Sequence, residues 1–101
     1  MIKTLSILLV DDHPIIVDAY KNSLLQYKKT NNYHFLIDTA YCCETAKQCI
    51  ENRKNSKSYD LAFVDIRLPP SKDEKMTSGK DIARSLKKEF PETKIAIITG
   101  H

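Results

Sequence analysis

Short apolar runs alternate along this chain with longer stretches whose apolar residues recur every three or four positions. Residues 4–10 include Leu5-Ser6-Ile7-Leu8-Leu9-Val10, apolar almost throughout, and predict a fully buried strand. A helix then starts at Pro14, whose missing N–H and fixed φ suit the first helical position. Ile16, Tyr20, Leu24 and Tyr27 mark its apolar stripe, and it fades in the polar, turn-prone Lys28-Lys29-Thr30-Asn31-Asn32. Residues 33–40 predict a second strand, with His34, Leu36 and Asp38 alternating with Phe35, Ile37 and Thr39. Residues 43–53 predict a second helix with Ala46, Cys49 and Ile50 on one face, followed by a polar loop over 52–58. A third strand covers 60–64. The loop after it, 67–78, is long and carries Pro69-Pro70 and the charged run Lys72-Asp73-Glu74-Lys75. Helix three begins near Gly79, with Ser78 as its cap and Asp81 as the other half of a capping box. Ile82, Leu86 and Phe90 line its buried face, Pro91 stops it, and residues 94–99 form a fourth strand.

Strands alternating with helices imply a parallel α/β sheet, and ligands of such sheets bind beyond the carboxyl ends of the strands. Polar residues stand at three of those ends: Asp11 and Asp12 after the first run, Asp65 after the third, Thr99 after the fourth. The topology gathers them at one edge. Each residue alone has an ordinary explanation as a helix cap or a solvated acid. Together they do not, because two like charges about 4 Å apart repel by roughly 4 kcal/mol at an effective dielectric near 20. Three carboxylates at one edge call for a cation or a proton. Mg²⁺ is the natural candidate, since it takes one or two carboxylates and completes its shell with water and phosphate oxygens. An Asp carboxylate can also attack phosphorus to form an acyl phosphate. Thr99 could then hydrogen-bond a phosphoryl oxygen, and Gly100 leaves room for close backbone approach.

Composition narrows the class. The 101 residues suffice for one small domain, and 42% hydrophobic with 29% charged residues is ordinary for a soluble globular fold. The net charge of +3 comes from scattered lysines, which argues against a nucleic-acid-binding face. No apolar stretch is long enough to span a membrane and no signal peptide is evident, so a cytoplasmic protein is expected. Cys42, Cys43 and Cys49 lack the spacing of a disulfide framework or zinc site, and Cys49 is expected in the core. His34 and His101 lack the spacing of a metal pair.

The segments Val10-Asp11-Asp12-His13-Pro14, Val64-Asp65-Ile66-Arg67-Leu68-Pro69 and Ile97-Ile98-Thr99-Gly100 resemble, in order and through the whole chain, the receiver domain of bacterial two-component response regulators. The resemblance implies a flavodoxin-like, doubly wound sheet of strand order 2-1-3-4. It implies a signalling phosphoacceptor rather than an enzyme with turnover, phosphorylated by a histidine kinase or phosphotransfer protein in a Mg²⁺-dependent reaction. By position, Asp65 matches the phosphoacceptor, and Asp11 and Asp12 match the metal-binding acids, Asp12 the more direct ligand. Asp65 and the backbone carbonyl of Arg67 complete the implied metal set. Thr99 matches the switch hydroxyl, and Pro69 the proline that follows the phosphoacceptor. The Asp-Asp-His-Pro start resembles receivers that precede a helix-turn-helix DNA-binding domain, which implies transcriptional regulation through a domain outside this chain.

The chain also departs from the family. It ends at His101, where receivers usually continue with a helix, a strand preceded by a phosphoryl-pairing Lys, and a last helix. That Lys is not assigned here. The expectation is a truncated receiver over residues 1–101 that holds the acid site without the output face and exposes strand four, through which it could form homo-oligomers. The segment 71–78 is longer than the family's usual turn, and reads as a tolerated surface insertion or as a lid or partner-contact loop. Cys43 stands where the family often has Gly. Two competing readings are a receiver-like interaction module that is not phosphorylated, and a metal-dependent phosphohydrolase with an Asp nucleophile. The latter usually has a second Asp two positions on, and neither Asp12 nor Asp65 has one; His13 is the only stand-in, at the helix start.

Overall fold

The computed structural model describes residues 3–73 and 75–98, the side chains of residues 28–31 excepted. In chain order the elements are β1 (Lys3–Val10), α1 (Pro14–Asn31), β2 (Tyr33–Ala40), α2 (Cys43–Arg53), β3 (Leu61–Asp65), α3 (Gly79–Glu89) and β4 (Lys94–Ile98). The four strands make one parallel sheet in the order β2-β1-β3-β4. This is the flavodoxin-like arrangement that the sequence implies.

Parity along the strands sends alternate residues to opposite layers. Ile7 and Leu9 of β1 face α1, where Val17, Tyr20 and Leu24 cover them together with Phe35, Ile37, Leu61 and Phe63. Tyr20 stacks on Phe63 with centroids 5.3 Å apart. Leu8 and Val10 face the opposite way, into a larger core closed by Ala46 and Ile50 of α2 and Ile82 and Leu86 of α3. Each fully buried Leu or Ile contributes about 1.5–3 kcal/mol. Among the described side chains of α1, Val17 rather than Ile16 is fully buried, one position from the stripe expected. Cys49, expected in the core, packs against it only partly buried.

α1 runs on through the polar segment where it was expected to fade. It stops at Asn32, which takes a left-handed conformation (φ 58°) that Asn tolerates better than most residues. β1 begins one residue early, and β3 ends on Asp65 itself. The capping box of α3 is displaced: Ser78 Oγ accepts from the Lys80 N–H, but Asp81 reaches past Ser78 to the Thr77 N–H (2.8 Å) and hydroxyl.

A polar knot joins β1, β2 and α2 to the loop that precedes β3. The buried Tyr59 donates its hydroxyl to Asp38 (2.6 Å). Arg53 lies over the Tyr59 ring and reaches both Asp38 and Ser6 Oγ. Asp60 accepts the Ser6 N–H. Among the described residues β4 pairs on one side only, and its Ile97 is exposed. Among the described residues no helix is long and apolar enough to cross a membrane.

Candidate functional site

The register of the sheet builds the site. Val10 lies opposite Val64, so the residues that follow them, Asp11 and Asp65, emerge side by side from adjacent strands. Asp11 extends the β1–β2 ladder by donating its N–H to Ala40 (3.0 Å). Asp65 is the last residue of β3 and pairs in register with Ile98. Both carboxylates are buried, Asp11 at 1% and Asp65 at 2% exposure, whereas Asp12 faces outward. Asp65 Oδ1 accepts the N–H of Arg67 (3.1 Å), which pins the carboxylate to its own loop. Asp11, Asp12, His13 and Asp65 each offer a ligand atom, all within 4.8 Å of one another. The three carboxylates supply hard oxygen donors of the kind that suits Mg²⁺.

His13 stands at the start of α1. It serves there, since its carbonyl accepts from the Ile16 and Val17 N–H groups. Its ring also turns into the acid cluster. Nδ1 stands 3.0 Å from Asp11 Oδ1 and 2.8 Å from Asp12 Oδ1. The hydrogen bond to Asp11 and the charges of Asp12, Asp11 and Asp65 hold its pKa above the ordinary histidine value. A protonated ring there offsets part of the carboxylate repulsion. Thr99 and Gly100 lie outside the described residues.

Gly79 is a site residue that its sequence position announced only as a helix start. Its N–H donates to Ile66 (2.9 Å), bringing the first turn of α3 against the end of β3. A Cβ there would overlap the carbonyl oxygen of Asp65 and come within 2.8 Å of Ile66 Cα. Only glycine permits that approach.

The long β3–α3 loop is anchored on α2. Pro69 accepts the Cys43 N–H (3.0 Å), Glu44 accepts the Lys72 N–H (2.9 Å), and Lys47 pairs with Asp73 (3.0 Å). Inside the loop Ser71 is buried, donates to Asp73 (2.6 Å) and exchanges hydrogen bonds with Met76. Leu68 enters the core and Met76 packs against it. The Ser71 hydroxyl, the Lys75 N–H and Lys47 hold the Asp73 carboxyl well below the usual carboxylate range. Cys43 is buried, and its thiol lies 3.7 Å from the Ser78 carbonyl. Burial pushes that thiol's pKa up.

Comparison with known proteins agrees with this geometry. The family described as "Response regulator receiver domain" matches residues 7–101. The chain belongs to that family. Among solved structures, the receiver is similar to a MaeR response regulator bound to beryllium trifluoride. They share 26% identity with a TM-score of 0.60, over 96% of this chain and 68% of that one. A fusion that carries the yeast Spc42 trimeric coiled coil, amino acids 181–211, matches at 22% identity and a TM-score of 0.67. The match covers all of the receiver and 58% of the fusion, and it bears on the fold alone. No curated protein matches the chain.

Proposed function

We propose that this receiver accepts a phosphoryl group on Asp65 from a histidine kinase or phosphotransfer protein. The observation that carries the reading is the convergence of Asp11, Asp12 and Asp65 at the carboxyl end of a parallel sheet. A carboxylate oxygen of Asp65 attacks phosphorus as the donor's phosphorus–nitrogen bond breaks. The electron pair stays on the donor imidazole, and an acyl phosphate forms on Asp65. Asp12, Asp11, Asp65 and the backbone carbonyl of Arg67 are the ligands proposed for Mg²⁺, which when bound neutralises charge on the phosphoryl oxygens. Thr99 is the proposed switch hydroxyl. The Arg67 N–H, already on Asp65, keeps one carboxylate oxygen oriented while the other reacts. The similar MaeR response regulator is bound to beryllium trifluoride, a phosphoryl-like group, which supports the same chemistry here. In a cytoplasmic parent protein, output would pass to a DNA-binding domain and so to transcription.

The test is the intact mass of the chain after incubation with acetyl phosphate and Mg²⁺. One phosphoryl adduct is expected, absent with a chelator and absent in Asp65→Ala. An adduct that persists in that variant would overturn the assignment.

A further inference from the structure

Strand β2 is an edge of the sheet. Among the described residues its eight residues, Tyr33–Ala40, pair with β1 alone. The Ala40 carbonyl turns toward β1, where it accepts the Asp11 N–H. Alternation along the strand then turns the N–H and C=O groups of Tyr33, Phe35, Ile37 and Thr39 to the open side. Folds commonly guard such an edge with a Lys, a Pro, a bulge or a very short strand. β2 has none of these: it carries no Lys or Pro, and its register with β1 is unbroken from end to end.

The side chains on this edge are of the kind that strand pairs favour. On one face Tyr33 stacks with Phe35 (centroids 5.8 Å apart) and with the exposed Tyr27 of α1 (5.5 Å). On the other face His34 is exposed and Leu36 is 45% exposed. Asp38 follows on that face. Its Oδ2 is held by Tyr59 and Arg53, yet the side chain is still 42% exposed, which leaves it open to a further donor.

We infer that β2 is a self-association edge, paired antiparallel with the β2 of a second copy across a two-fold axis through Leu36. The register names the occupant. A two-fold perpendicular to the sheet keeps each layer on its own side, so odd positions meet odd and even meet even. Centred on Leu36, the pairing sets Phe35 against Ile37 and Tyr33 against Thr39, the residues whose backbone groups face outward. It sets Leu36 against Leu36 and each His34 against Asp38 of the other copy, as the closer, non-hydrogen-bonded pairs. An imidazole N–H thus meets a carboxylate twice. Moving the axis onto Phe35 or Ile37 would put His34 or Asp38 against Leu36 and lose that match. A strand of an unrelated protein need not supply an imidazole and an acid at these spacings. Pairing of β2 with β4 of another copy is heterologous and would not close at two chains. Because the paired strands run oppositely, the two acid sites come out at opposite ends of the joined sheet, where neither blocks the other.

Sedimentation equilibrium of the whole chain should show a dimer at about 100 μM. Leu36→Lys sets two cations face to face on the axis and alters only an exposed side chain. It should weaken the dimer about tenfold or more with the far-UV circular dichroism unchanged. Under mild oxidation Leu36→Cys should link to its own copy through residue 36, since non-hydrogen-bonded neighbours have Cα atoms about 4.5 Å apart, within disulfide reach. His34→Cys, whose copies sit apart across the axis, should not, and peptide mass tells these links from those of the native cysteines. If Leu36→Lys disturbs the fold, the cysteine pair decides alone. A wild-type chain that stays monomeric, a Leu36→Lys dimer as tight as the wild type, equal linkage at positions 34 and 36, or assembly that grows beyond two chains would overturn the inference. So would an association kept in Leu36→Lys and lost in Ile97→Lys, which would move the contact to β4.

Discussion

Asp11 and Asp65 show how a single residue's place in the register becomes chemistry. Each follows a buried apolar run on an adjacent parallel strand, so their side-by-side position was legible in the sequence before any contact was known. Gly79 was not, because nothing in its neighbourhood announces that a Cβ there would run into a backbone carbonyl fourteen positions earlier in the chain. The ring of His13 was hidden for a similar reason: a residue already explained as a helix start gives no sign of a second partner. Gly79→Ala must push α3 off the end of β3. A loss near the upper end for overpacking, about 3 kcal/mol, is expected in urea unfolding, together with slower adduct formation on Asp65. Tyr59→Phe makes a contrast far from the site. It removes the hydroxyl held by Asp38 and keeps the ring under Arg53, so stability should fall by about 1 kcal/mol while adduct formation is unchanged.

At the scale of elements, β2 and α2 fall where periodicity puts them, since strict alternation and a short apolar face admit few other phases. α1 outlasts its pattern because helical hydrogen bonds continue through polar residues until Asn32 turns left-handed. The β3–α3 loop was the least legible element. Its composition is that of a surface insertion, yet its anchors lie on α2, and long-range contacts leave no periodicity. Asp73 makes its anchoring dependent on pH. A carboxyl whose folded pKa is depressed contributes stability above its unfolded value, roughly 3.9, and loses it only as pH falls through the lower folded value. The loop should therefore stay closed at pH 4, where an ordinary carboxylate is about half protonated. Hydrogen exchange at the Lys75 and Met76 amides measures this. Protection should persist at pH 4 in the wild type and be lost at every pH in Asp73→Ala.

For the molecule as a whole, the site works against the fold that carries it. Burying Asp11 and Asp65 beside Asp12 places like charges within a few ångströms, and the native state bears that repulsion while the unfolded chain does not. His13 offsets part of it. A bound divalent cation would offset more, and would do so only in the folded state, which by linkage raises stability with cation concentration. Two thermal midpoints with opposite responses follow. The wild-type chain should gain several degrees from chelator to millimolar Mg²⁺, since about 1 kcal/mol moves the midpoint of a domain of this size by roughly 4–8 °C. Asp12→Asn removes one charge of the cluster without changing its volume. In chelator it should be more stable than the wild type by about 1 kcal/mol and melt above it, as expected where a residue is retained for function at the expense of stability. In Mg²⁺ it should gain little more, having lost a ligand. Calorimetry of both chains in both buffers separates the two contributions. A wild type indifferent to Mg²⁺ would remove the cation from the site, and an Asp12→Asn chain that melts below the wild type in chelator would show that repulsion is not what the carboxylates cost.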